Sequence, residues 1–228
     1  LILEAEGGIL KMISLEQLEE LFKSRRSVRK WQDKEVPQEM LLKAVELAEW
    51  APNGGNHQAY HFYIVTNKEK IRQIGEAVAQ KTKLMASWPE AQEKYGDKLK
   101  KWVENAAFFA SAPALIACAA GNYTSMADEI MALRPDDEEA KKMMEARALA
   151  SSRVQSLAAT IAHLLLAFEV LGLGAVWMTG PVQAKSEIEE IIGIKNYDLI
   201  AVIPVGFPAE KPASPGRKPV EEIATIIS

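Results

Sequence analysis

The sequence predicts one domain of mixed helices and strands, on three observations. Helical and strand-like hydrophobic patterns alternate along the chain, with more helix than strand. No internal repeat and no Pro/Gly/Ser-rich linker divides the 228 residues into independent units. The longest apolar pattern, residues 148–171, exceeds one helical face and belongs at the centre of a core or between subunits.

The elements follow in order. Residues 1–11 precede Met12 and read as a vector-derived or disordered leader, leaving 12–228 as the domain. Ser14-Leu15-Glu16-Gln17 is a capping box opening a helix whose stripe is Leu15, Leu18, Leu21 and Phe22. Pro37 is expected as the first residue of a second helix, with Leu41, Val45 and Ala48 inward. The loop Pro52-Asn53-Gly54-Gly55-Asn56 ends it, residues 60–65 read as a strand, and 68–79 as a helix. In 82–105, Trp88, Tyr95 and Trp102 lie among Lys and Glu, with Pro89 and Gly96 breaking the period; this predicts a partly helical lid. Residues 112–119 are a buried strand, and 122–147 are charged, Met-rich and helical in their second half. After the long helix, Gly172 and Gly174 act as stops, 175–178 and 199–205 read as strands, and 185–192 as a helix. The proline-rich tail is given one short helix near Glu221.

Composition narrows the function. The net charge is −4, with 25% charged and 48% hydrophobic residues, an ordinary globular balance that disfavours nonspecific nucleic-acid binding. The one cysteine, Cys118, sits in an apolar run and implies neither an intrachain disulfide nor zinc. No metal site, membrane span or cleavable signal is expected, so the cytoplasm is the default compartment.

Against that acidic background, Ser24-Arg25-Arg26-Ser27-Val28-Arg29 stands out. Three guanidiniums and a hydroxyl in six residues suit a phosphate monoester, onto which guanidiniums fork. A solvated basic patch is the alternative. No Gly-x-Gly-x-x-Gly follows a strand, which argues against a Rossmann dinucleotide site.

Three further segments complete a pattern: Ala51 to Phe62, Gly172 to Pro181, and Val205-Gly206-Phe207-Pro208 followed by Gly216-Arg217-Lys218-Pro219. In this order and spacing the chain resembles the FMN-dependent nitroreductase family from about Ser14 to Glu222. The resemblance implies an α+β fold: a mixed, mainly antiparallel sheet wrapped by helices. It also implies an intertwined homodimer with FMN sites at the interface, residues 148–171 in its centre and 208–228 as an arm over the partner. Arg25, Ser27 and Arg29 match the positions that hold the phosphate and ribityl chain, Arg26 the middle position that often uses main-chain contacts, and Arg217 the arginine that completes the phosphate site. Pro52, Asn53 and Asn56 match the loop at the flavin edge, Asn53 reaching across from the partner chain. Met178, Thr179 and Gly180 match the backbone beside the isoalloxazine, and Trp177 reads as packing.

Departures from the family pattern are Ala59-Tyr60 for the frequent Pro-Trp, Pro215 where some members carry lysine, and His163 for asparagine, read as a buried interface residue. His57 and His61 lack a carboxylate array and receive no catalytic role. The implied chemistry is hydride transfer from NADH or NADPH to a small electron-poor acceptor such as a nitroaromatic or quinone, in ping-pong order, with flavin N5 rather than a side chain as the reacting centre. Trp88, Tyr95 and Trp102 are substrate-side candidates. A reductive dehalogenase resembling iodotyrosine deiodinase is the alternative, with Glu90, Tyr95 and Lys101 in the lid region but the Glu-to-Tyr spacing one residue too long. A noncatalytic flavin-binding or sensing protein is the other.

Overall fold

A computed structural model describes residues 4–5, 8–9 and 13–227 of the chain. Strands β1 (Glu4–Ala5) and β2 (Gly8–Ile9) pair antiparallel. The other residues of the expected leader lie outside the described residues.

Helix α1 (Leu15–Ser24) opens as its sequence requires: Ser14 Oγ accepts from the Gln17 amide at 3.2 Å, and the Ser14 amide donates to Gln17 Oε1 at 3.0 Å. In α2 (Gln38–Ala48), Leu41, Ala44 and Ala48 are buried. Pro37 caps this helix instead of forming its first residue, because its ψ of 134° is still extended. A 3₁₀ turn, Gly54–Asn56, leads to β3 (Tyr60–Val65). Helix α3 (Lys68–Ala86) runs seven residues past the expected end. Its charged second half hides a continued stripe through Val78, Thr82 and Ala86.

The excursion that follows is two seven-residue helices, α4 (Pro89–Tyr95) and α5 (Lys98–Glu104), hinged at Gly96 with φ of 49°. Strand β4 (Ala114–Ala120) is followed by α6 (Met126–Ala132) and α7 (Glu138–Ala150). Helix α6 lies in the half of 122–147 expected to be irregular. Its signal is a second capping box, Ser125 with Asp128. Ser151, left-handed at φ 45°, separates α7 from α8 (Ser152–Val170), so the long apolar helix begins later than expected. The chain ends with β5 (Gly174–Ala175), α9 (Lys185–Ile192), β6 (Asp198–Gly206) and a 3₁₀ turn at Val220–Glu222.

The sheet order is β3-β4-β6-β5, antiparallel throughout its named strands. One parallel bridge, Ser27 to Ala175, makes it mixed. Every residue of β4 is buried, and its side chains alternate between two cores. On one face Ile116 and Cys118 meet Leu41 of α2 and Leu157, Ile161, Leu164 and Phe168 of α8. On the other, Leu115 and Ala117 meet Ile71, Ile74 and Val78 of α3 and Ile188 of α9. Burial pushes the Cys118 thiol pKa far up, so it acts as a small apolar side chain.

The span Glu138–Val170, taken across the break at Ser151, does contain a stretch long and apolar enough to cross a membrane, against the expectation of none. Its α8 part instead buries one face on the sheet. Large apolar side chains remain exposed on α1 (Leu15, Phe22), around α2 (Leu42, Leu47, Trp50) and in the tail (Ile223, Ile226, Ile227).

Candidate functional site

The arginine segment is built onto the sheet edge. The Val28 amide donates to the Ala175 carbonyl at 3.1 Å, beside the Ser27–Ala175 bridge. Val28 is buried against Gly174, where a Cβ would lie 2.7 Å from Val28 Cγ2. Only glycine lets the two segments approach this closely. The root of the tail zips onto the next residues: Gln32 N–H donates to Phe207 O, Ala209 N–H to Lys30 O, and Arg29 N–H to Glu210 Oε1, at 2.9, 2.9 and 2.7 Å. Loop, strand and tail root therefore form one frame.

Within it Arg25, Arg26 and Ser27 are half-buried and Arg29 is exposed. Among the described residues, none of Arg25, Arg26, Arg29 or Arg217 forms a salt bridge. Arg26 donates to the Lys23 and Arg25 carbonyls, Arg29 to the Ser27 carbonyl, and Arg217 to the Gly216 carbonyl. A cleft of about 450 Å³ opens here, lined among others by Ser24, Arg26, Gly174, Glu210 and Lys211.

Downstream, the chain from Ala175 to Met178 stays extended along β6: Ala175 pairs with Val205 and Met178 with Val202. Three residues at strand rise carry it about 10 Å from the arginine frame. Met178 exchanges both main-chain bonds with Val202, and its side chain packs on the core, so its amide is already committed. Thr179 and Gly180, both exposed, open a 3₁₀ turn (Gly180–Ala184), and among the described residues their amides donate to no main-chain carbonyl. Among the described residues the Trp177 amide likewise has no main-chain acceptor, so Thr179 and Gly180 are two of three uncommitted donors here.

The loop 52–58 is the third part. Gly55, Asn56 and Gln58 have φ of 58°, 52° and 51°, a concentration of left-handed conformations. Asn53 Oδ1 accepts from the Gln58 amide at 3.0 Å, and Asn56 Oδ1 from Gln58 Nε2 at 3.2 Å. Asn56 is exposed, as is Pro52. The Gly54 amide donates to Ser156 Oγ on α8 at 3.1 Å, and His57 packs edge-on against Tyr123. Both candidate asparagines are thus tied locally within a single chain. Half-buried His163 lies on α8, while His57 and His61 are exposed and face aromatic rings.

The structure does bring Trp88, Tyr95 and Trp102 together. They line an apolar cleft of about 490 Å³ with Met85, Leu99 and Lys98. Glu90 and Lys101 are not among its lining residues, so the expected dehalogenase trio does not converge there. Sequence reasoning passed over Tyr123, Arg147 and Arg153, which line another cleft, of about 360 Å³, beside loop 52–58. Their spacing carries no motif, and only the helix packing assembles them. Among the described residues, no group of three or more His, Cys, Asp or Glu side chains could hold a metal ion.

Comparison with known proteins matches the sequence and the fold. A solved BluB-like flavoprotein from Clostridium difficile 630 superposes with a TM-score of 0.80 at 30% identity, over 92% of this chain and 99% of that one. A putative NADH dehydrogenase/NAD(P)H nitroreductase of Methanothermobacter thermautotrophicus is 29% identical over 92% of this chain and 84% of its own. The iodotyrosine deiodinase of Thermotoga neapolitana is 26% identical over 93% of this chain and all of its own. The Nitroreductase family model matches residues 22–207, from the end of α1 through β6. By sequence and fold, the chain belongs to the nitroreductase family of oxidoreductases.

Proposed function

We propose that this chain is an FMN-dependent oxidoreductase that takes hydride from NADH or NADPH and reduces a small, electron-poor acceptor, working as a homodimer in the cytoplasm. One observation carries the reading: Arg25, Arg26 and Arg29 are held on a sheet-anchored loop, and among the described residues none of their guanidiniums pairs with a carboxylate. An isolated loop with that charge density is repulsive, and a doubly charged phosphate monoester relieves it.

Arg25 and Arg29 would grip the phosphate and Ser27 the chain next to it, with Arg217 closing the site once the tail is docked. The free Thr179 and Gly180 amides, about 10 Å further along, would hydrogen-bond the ring edge and favour negative charge there. Pro52 and Asn56 would belong to the loop at the ring edge, with Asn53 approaching from the second subunit. In a single chain, the exposed faces of α1 and α2 and the apolar tail residues support such a partner. Bound FMN supplies the redox chemistry, hydride in from the nicotinamide and out to the acceptor in ping-pong order. Trp88, Tyr95 and Trp102 would gate acceptor entry.

Titration of flavin-free protein with FMN and with riboflavin tests this directly. The phosphate grip predicts at least a hundredfold preference for FMN, from two or more charge-assisted contacts at roughly 1.5–3 kcal/mol each. Equal affinity for the two flavins contradicts it. Reductive dehalogenation is the second reading, favoured by the deiodinase relatives and by Tyr95 beside Lys98 in the aromatic cleft. Tight binding of a halotyrosine with a changed flavin spectrum would promote it.

A further inference from the structure

The cleft of about 360 Å³ formed where α6, α7 and the start of α8 meet has a distinct chemistry. Arg147 and Arg153 line it, together with Ser151, Ser152, Tyr123 and Met144. Arg147 binds Asp128 through Nε and Nη2 and also reaches Ser125 Oγ, which leaves Nη1 unused among the described residues. Arg153 uses Nη1 on Asp198 and on the Ala120 carbonyl, leaving Nε and Nη2. Asp128 also lines the cleft, but Arg147 offsets its charge. Lys185 is a second cation on Asp198.

The first turn of the 19-residue α8 begins at this cleft, where amides lack intrahelical acceptors and the helix dipole favours negative charge. Two guanidiniums with spare donors, two serine hydroxyls and a helix N-terminus therefore converge on one cavity with an apolar wall. Tyr123 joins it to the proposed flavin-edge loop: its ring lies 5.3 Å from His57, and its hydroxyl is 3.3 Å from where a Gly54 Cβ would be.

We propose that this cleft is the subsite that selects the acceptor, and that it takes an aromatic compound bearing a carboxylate. The ring would lie against Tyr123 and Met144, and the carboxylate would take the spare guanidinium and hydroxyl donors. This deepens the FMN-oxidoreductase reading and rests on it for the redox step. With a nitroarene acceptor, hydride from NAD(P)H and one proton reduce the nitro group to nitroso. Two electrons are transferred, one N–O bond breaks, and water leaves with that oxygen.

The test pairs 4-nitrobenzoate with the near-isosteric, neutral 4-nitrobenzamide on the FMN-loaded protein. The wild type should prefer the anion about tenfold or more in kcat/KM, the effect of one charge-assisted contact. The ratio should collapse toward unity in Arg147→Met. It should fall only part-way in Arg147→Lys, which keeps the charge and the Asp128 pairing but loses the fork. Equal use of both acceptors by the wild type overturns the proposal. If the protein reduces neither compound, its use of nitroarene acceptors is what fails, and calorimetry decides the subsite separately. Benzoate binding that benzamide does not reproduce supports it, and no benzoate binding overturns it.

Discussion

The arginine loop at 25–29 and the helical excursion at 87–105 both carry candidate site residues, yet they are built in opposite ways. The loop is fixed by main-chain bonds to Ala175 and by the zipped tail root, against a glycine that admits no side chain. The excursion is two short helices joined at a left-handed glycine, with Trp88, Tyr95 and Trp102 each near half exposed. A frame that must place charge on one cofactor benefits from preorganisation, whereas an aromatic cleft that admits varied acceptors needs room to adapt. On the proposed function, the molecule would separate holding the cofactor from admitting the acceptor.

Experiments on each side of that division should give different signatures. The largest effect is expected in the loop: Arg29→Ala or Arg217→Ala should weaken FMN binding ten- to a hundredfold, about 1.5–3 kcal/mol, in a fluorescence titration. Unchanged affinity in both would erase the contrast. Next comes Gly174→Ala, whose new methyl meets Val28 at 2.7–2.8 Å. Overpacking of this kind costs about 1–3 kcal/mol, read as a lower urea midpoint together with weaker FMN binding. Removing side chains in the excursion, as in Trp88→Ala with Trp102→Ala, should move acceptor KM several-fold, roughly 1 kcal/mol, while FMN affinity holds. Loss of FMN binding there would make the excursion part of the frame.

The smallest effect belongs to a charge cluster outside both regions. Lys185, and then Arg153, hold the Asp198 carboxyl below its usual range. Its folded pKa is depressed, so the stabilisation is present above the unfolded value of about 3.9 and is lost as pH falls below it. Melting temperature should be flat from neutral pH to about 5 and decline below 4, with Asp198→Asn showing a shallower decline.

What the sequence revealed follows the same physical division. Elements carried by local signals were legible: the Ser14–Gln17 box, the strand at Tyr60–Val65 and the helix at Lys185–Ile192. The arginine cluster was legible too, because three guanidiniums in six residues need a reason wherever they fold. Features set by packing were not. The extension of α3 depends on burial of Thr82 and Ala86 among lysines. The commitment of the Met178 amide to Val202 is a sheet register that no local pattern encodes. The same holds for the Arg147–Arg153 cleft, whose residues come from the junction of two helices.

The central claim is that the frame holds a flavin that nicotinamide can reduce and an electron-poor acceptor can reoxidise. The most direct measurement is an absorbance spectrum of the purified protein, followed anaerobically by NADH, then NADPH, then a nitroaromatic or quinone. A flavin spectrum that bleaches with at least one donor and recovers with the acceptor is the predicted result. A protein that shows no flavin even after FMN is added back would contradict the account at its root.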